Sequence, residues 1–161
     1  MKVLDSSSVI GLYKELNETK IILIWKDLGH ESFITIEVHA ELQKNETTYK
    51  LFRPDFKKNI KLIEVAKPEE IIEFKNKYPY LGKGEISVIL TGAKIKDNKC
   101  YCILDDRKAR KVAQQQGILF TGTLGMIKKL KEKEIITPEK FDEILKKAEK
   151  SKFRIDPALF K

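Results

Sequence analysis

The chain has 161 residues, 42% of them hydrophobic and 35% charged, with a formal net charge of +8. That length and balance describe a single folded domain over residues 1–161 with a continuous core, and they exclude a disordered chain. No run approaches the ~18 apolar residues of a membrane span, and the start MKVLDSSSVIGLY lacks an apolar export segment, so a cytoplasmic protein with no membrane partner is expected.

Strand-like and helical runs alternate along the chain. KVLD (2–5) reads as a strand, and SSSVIGLYKELN (6–17) as a helix with serines at its start to cap it. KIILIWKDLG (20–29) is ambiguous between strand and buried helix, because periodicity alone does not separate them. SFITI (32–36) is a strand leading into the helix EVHAELQKNE (37–46), and NIKLIEV (59–65) is a strand followed by PEEIIEFKNKY, a helix opened by proline. GKGEISVILTGAKIKDN (82–98) is a helix bounded by turn residues, and CYCILDD (100–106) a strand. RKARKVAQQQG forms a helix ending at Gly117, ILFTG a last strand, and TLGMIKKLKEKEI and TPEKFDEILKKAEKSK two closing helices. Such alternation predicts an α/β fold, a parallel sheet covered by helices on both faces. The cleft of such a sheet lies outside the carboxyl ends of its strands.

The positive balance favours a polyanionic partner, although a solvated lysine-rich surface accounts for it equally well. Only four of the 32 basic residues are arginine (Arg53, Arg107, Arg110 and Arg154), and the abundance of Lys, Glu and Ile fits a hot-living source. His30 and His39 are the only histidines, which argues against histidine-pair catalysis and a His-rich metal centre, and no G-x-S-x-G elbow is present. Cys100 and Cys102 share one strand and no Cys/His set completes a zinc site, so they read as reduced strand residues.

Acids occupy the expected cleft edge. Asp5 ends the first strand, and Asp105 and Asp106 end a later one, where two adjacent carboxylates repel unless a proton, a cation or hydrogen bonds compensate. Glu41 sits early in the helix after SFITI, and Glu85 opens an otherwise apolar helix. Each has an ordinary explanation by itself: Asp5 a helix cap, Glu41 a solvated face, Glu85 a partner of the helix dipole. Their joint placement is what points to a divalent metal site.

The segments VLDSSSVI, ITIEVHAEL, LGKGEISVILTGAK, CILDDRKARKVAQQQGILFTGTLGMIKKLKEKEII and FRIDPALF, in this order, resemble the motifs of PIN-domain proteins, in particular the prokaryotic VapC-like branch with a GE helix and a DDR-x-AR…TGTLG segment. The resemblance spans nearly the whole chain. It implies a three-layer α/β/α sandwich around a central parallel sheet, and it settles 20–29 as a helix. It also implies an Mg²⁺- or Mn²⁺-dependent ribonuclease with Asp5, Glu41, Glu85, Asp105 and Asp106 around the metal, Asp106 fitting the x-D-R position best. Arg107, Lys108, Arg110 and Lys111 then either hold RNA phosphates or temper the acids, and Thr123 caps its helix with phosphate contact as a further role. Many relatives carry a second acid two residues after GE, where this chain has Ser87.

Three readings follow from the resemblance. The first is an endoribonuclease acting as the toxin of a toxin–antitoxin pair, a homodimer blocked by an antitoxin protein. The second is a non-catalytic RNA- or protein-binding module with a degraded acidic site, motivated by Ser87. The third is a housekeeping RNA-processing nuclease. Trp25 reads as core or dimer interface rather than a base-stacking platform, and KKLKEKE as a solvated helix face.

Overall fold

In the computed structural model, which describes residues 1–95, 99–151 and 153, five short strands form one sheet. They are β1 (Lys2–Leu4), β2 (Ser32–Thr35), β3 (Ile60–Ile63), β4 (Tyr101–Ile103) and β5 (Phe120–Thr121). Their order is β3-β2-β1-β4-β5 and every pairing is parallel, with Val3 opposite Phe33 on one side and Cys102 on the other. The chain runs outward from β1 to β3 and then returns to place β4 against the other edge of β1. The switch point, and therefore the crevice, lies at the carboxyl ends of β1 and β4.

Helices fill the connections and make the α/β/α sandwich. They are α1 (Ser6–Ile10), α2 (Lys20–Asp27), α3 (Ile36–Lys44), α4 (Glu46–Phe52), α5 (Pro68–Lys77), α6 (Lys83–Lys94), α7 (Arg107–Gln115), α8 (Thr123–Glu132) and α9 (Pro138–Lys150). The sheet is parallel and covered, so its strands carry almost no exposed surface near the centre: Val3, Leu4, Ile34, Cys102 and Ile103 are fully buried.

Helix α6 lies against β1, β2 and β4. It buries Ile86, Val88 and Ile89, and it approaches the sheet closely because Gly92 has no side chain. A Cβ there would stand 2.5 Å from the Cys102 sulfur. Neither cysteine is in a disulfide, and both are buried.

Several local expectations change. The cap of α1 is Asp5 itself, accepting from the Ser8 N–H, so the serines after it do other work. The helix continues as a π turn over Gly11–Glu15, closed by the Leu16 N–H donating to the Gly11 carbonyl at 2.8 Å. The extra residue in that turn sends Leu12, Tyr13 and Leu16 into the core. Segment 20–29 is helical over Lys20–Asp27, and Trp25 is fully buried core. The helix predicted at 37–46 stops at Asn45, whose side chain caps a separate α4 by accepting from Thr48. Residues 96–98 of the predicted 82–98 helix, and all of FRIDPALF except Phe153, lie outside the described residues. Among the described residues no helix is long and apolar enough to cross a membrane.

Candidate acidic site

Five carboxylates stand near the carboxyl ends of β1 and β4, and each accepts from an N–H at the start of a helix. Asp5 is deepest, with no exposed surface. Its Oδ1 accepts from the Ser8 N–H at 2.7 Å and from the Ser8 hydroxyl at 2.5 Å, while Oδ2 is buried without a hydrogen-bond partner among the described residues. The same Ser8 hydroxyl lies 3.1 Å from Asp105 Oδ2, so one side chain spans the two acids.

The adjacent acids after β4 diverge. Asp105 turns toward α8, where Oδ1 accepts from the Thr123 N–H at 2.8 Å and Oδ2 from the Thr123 hydroxyl at 2.6 Å. Asp106 caps α7, its Oδ1 accepting from the N–H groups of Lys108 and Ala109 at 2.7 and 3.0 Å. Their adjacency in sequence is tolerable because they face different helix N-termini, each presenting unsatisfied N–H groups and a positive dipole end.

Glu41 and Glu85 converge on the start of α6. Glu85 Oε2 accepts from the Gly82 N–H at 2.8 Å, the reciprocal half of a capping box. Glu41 reaches across from α3: Oε1 accepts from the Gly84 N–H at 2.8 Å and Oε2 from the Ser6 hydroxyl at 2.5 Å. Gly84 is needed for this approach, since a Cβ at that position would lie 2.4 Å from Glu41 Oε2.

The carboxylates feel one another. Burial first, and then the charge of Asp105, push the Asp5 carboxyl up to about 8 against the two Ser8 hydrogen bonds, with Glu85 adding a smaller upward push. Burial also raises Asp105, opposed by Thr123, Ser8 and the nearby Arg110. Glu85 is raised by burial and by Asp106 and Glu41, against the Gly82 N–H. These are like charges assembled at close quarters. Among the described residues, no group of three or more His, Cys, Asp or Glu side chains is gathered closely enough to hold a metal ion. The acids stand on their caps, near one another but not collected around a common point.

The other predicted residues divide. Arg107, Lys108 and Lys111 are exposed on α7, with the Lys108 ammonium 5.7 Å from the Tyr80 ring centre. Arg110 is half-buried beside Asp105, which fits the tempering role rather than an outward one. Thr123 is fully buried with both donors on Asp105, so it braces that acid and has no surface left for a phosphate. Ser87 is likewise fully buried, donating to the Gly84 carbonyl at 2.7 Å and sharing a 2.6 Å hydrogen bond with Thr35. Its neighbours are the α3 cap and the α6 backbone. Ser6, Ser8 and Gly84 hold the carboxylates yet were not singled out in the sequence. The serine run of VLDSSS was the available signal, since two hydroxyls in that run orient acids contributed by other segments.

A cavity of about 310 Å³ adjoins the acidic pair, lined by Ser7, Ile10, Gly11, Glu15 and Phe153 together with Asp105 and Asp106. Gly11 seats the Phe153 ring, which would lie 2.1 Å from a Cβ at position 11.

No curated protein and no solved structure matches the chain. A family model described as a PIN domain matches residues 1–161, its whole length. With five parallel strands in the order β3-β2-β1-β4-β5 and the acids at the switch point, the chain belongs to the PIN-domain family.

Proposed function

We propose that this protein is an endoribonuclease that hydrolyses RNA phosphodiesters with Mg²⁺ or Mn²⁺, the toxin of a toxin–antitoxin pair. PIN domains are generally nucleases that use divalent metals. The observation that carries the reading is Asp5, whose Oδ2 is buried without a partner among the described residues while the charges of Asp105 and Glu85 press on it. A buried, unpartnered carboxylate oxygen among like charges is a costly arrangement that a hard cation relieves, and the donor set is all oxygen, as Mg²⁺ and Mn²⁺ prefer. Asp5, Glu41, Glu85, Asp105 and Asp106 are the residues that would hold it. When bound, a divalent cation supplies Lewis acidity toward a water and the scissile phosphate.

The chain's own side chains do the rest. Ser8 fixes the Asp5 and Asp105 carboxylates relative to each other, and Ser6 and the Gly84 N–H fix Glu41. Arg107, Lys108 and Lys111 place exposed cations along α7, next to the acids, where they can hold flanking phosphates that the carboxylates would repel. The expected products carry 3′-hydroxyl and 5′-phosphate ends. A homodimer and an antitoxin whose arginine enters the acidic cleft complete the proposal.

One observation favours the second reading, a non-catalytic binding module: every one of the five acids already serves as a helix cap or brace. The burial of Ser87 between Thr35 and Gly84 counts on the other side, because a position so enclosed is a weak basis for inferring a lost ligand. Incubating the purified protein with a mixed RNA pool in Mg²⁺, Mn²⁺ or chelator, and mapping the ends, separates the two. Cleavage that survives chelation, or that Asp5→Asn leaves intact, would overturn the nuclease proposal. A short adjacent reading frame whose product co-purifies with this chain and blocks cleavage supports the toxin over a housekeeping nuclease.

A further inference from the structure

The opposite end of the sheet carries a second concavity, of about 580 Å³, at the starts of β1 and β4. Its lining combines Trp25, Tyr101, Met126 and Leu130 with the cations Lys2, Lys129 and Lys133. Among the described residues no carboxylate lines it, and none is ion-paired with Lys2, Lys129 or Lys133. Glu31, which the N-terminal ammonium also influences, is exposed and paired with Lys61. The lysines rest on aromatic faces instead, Lys2 at 5.4 Å from the Trp25 ring centre and Lys129 at 4.5 Å from that of Tyr101.

Lys2 shows how uncompensated the cluster is. It is almost wholly buried, and burial together with the charges of Lys129 and Lys133 lowers its ammonium to about 8. His30, at the same rim, is lowered by burial and by Lys2 and Lys133. Trp25, fully buried beneath the Lys2 ammonium, forms the floor, and among the described residues its indole N–H has no hydrogen-bond partner. An unpartnered buried donor costs on the order of 1–3 kcal/mol. Cations that repel one another around an apolar floor are the features of a pocket for an organic anion.

We infer that this pocket binds a phosphate monoester of nucleoside-monophosphate size, its phosphate held by Lys2, Lys129 and Lys133 and its planar body against the half-buried Tyr101 ring, with Trp25 beneath Lys2 as the buried floor. A dianionic phosphate matches several ammonium groups around one cavity better than a single carboxylate does. The volume is far larger than a phosphate ion and falls within the ~300–1,000 Å³ range of small-molecule sites. The inference is independent of the nuclease proposal, since Asp5 and Asp105 lie at the other ends of the same two strands.

Trp25 is the only tryptophan in the chain, so its fluorescence reports this pocket alone. The experiment titrates the protein in chelator with adenosine 5′-monophosphate, adenosine, inorganic phosphate and a short single-stranded oligoribonucleotide in separate arms. The expected result is a saturable change with the monophosphate, at least tenfold weaker for adenosine and for inorganic phosphate. In a Lys129→Ala, Lys133→Ala variant the affinity drops at least tenfold, with the unliganded spectrum and melting temperature unchanged. In Asp5→Asn it is the same as in the wild-type protein. No saturable change, equal binding by the double variant, or equal binding of adenosine or inorganic phosphate would overturn the inference. A response to the oligoribonucleotide alone would overturn it in favour of a nucleic-acid track.

Discussion

Replacing Asp5 by asparagine tests the electrostatics of the acidic site without relying on catalysis. In the cation-free protein the Asp5 carboxyl is pushed from 3.8 to about 8, chiefly by burial and then by Asp105. At neutral pH the unfolded chain carries this group ionised while the folded chain holds a proton on it. A group whose folded value is raised stabilises fully below the unfolded value, and that stabilisation is lost as pH climbs between about 4 and 8. At 1.36 kcal/mol per unit, the whole displacement corresponds to roughly 6 kcal/mol as an upper bound, part of which belongs to Asp105. Asparagine keeps the Oδ1 acceptor for Ser8 and removes the titration, so a gain of about 2 kcal/mol is the expected net effect. For a chain of this size that is ~4–8 °C in melting temperature. Thermal melts in chelator should show Asp5→Asn above wild type by that amount at pH 7.5, with the gap closing near pH 4. Adding Mg²⁺ or Mn²⁺ should raise only the wild type. A variant that melts at or below wild type at pH 7.5, or a gap that ignores pH, would refute the electrostatic account of Asp5.

Gly84→Ala should lower RNA cleavage by at least tenfold, because its methyl displaces Glu41, and calorimetric metal titration should show weaker binding. Glu41→Gln should abolish cleavage while Glu37→Gln, one turn earlier on α3 and without the Ser6 and Gly84 contacts, stays near wild type; the reverse result would place the functional acid one turn away. Neutralising Arg107 or Lys111, both exposed, should weaken RNA binding at low salt and flatten the slope of log K against log salt by ~0.7 each, whereas neutralising half-buried Arg110 should act on metal affinity instead. Ser87→Glu should destabilise by several kcal/mol in urea melts, since it buries a carboxylate against Thr35, and a well-folded variant with tighter metal binding would show that position 87 reaches the cleft.

The sheet and the acids were legible in the sequence for the same reason. Parallel strands are short apolar runs, and in this fold class their carboxyl ends collect the polar residues, so Asp5, Asp105 and Asp106 announced both a strand end and a cleft edge. Less legible were features set by contact rather than pattern. The π turn at Gly11–Glu15 follows from packing Leu12, Tyr13 and Leu16 inward, which no periodicity over 6–17 displays. The break between α3 and α4 hangs on one side chain, Asn45, inside a polar stretch that reads as a helix end followed by loop. Thr123 looked like a helix-start residue, and so it is, but its second role depends on Asp105, eighteen residues earlier in sequence. The roles of Ser6 and Ser8 were hidden the same way, since a serine run reads as capping whatever acids it meets in space.

Helix capping and cation binding are not rival explanations of the acidic pair. A doubly covered parallel sheet delivers helix N-termini to the edge where its strands end, and α1, α6, α7 and α8 all start there. Each start supplies unsatisfied N–H groups and a partial positive charge, which together allow carboxylates to gather before any cation arrives. Asp105, Asp106, Glu41 and Glu85 each accept from such an N–H. Asp5 also caps its helix, but it is the most deeply buried and keeps one oxygen that none of the described residues satisfies. The caps therefore neutralise the rim of the site and leave the centre unpaid. Any positive group entering the cleft gains most at Asp5, where burial and the neighbouring Asp105 charge weigh most heavily on a carboxylate.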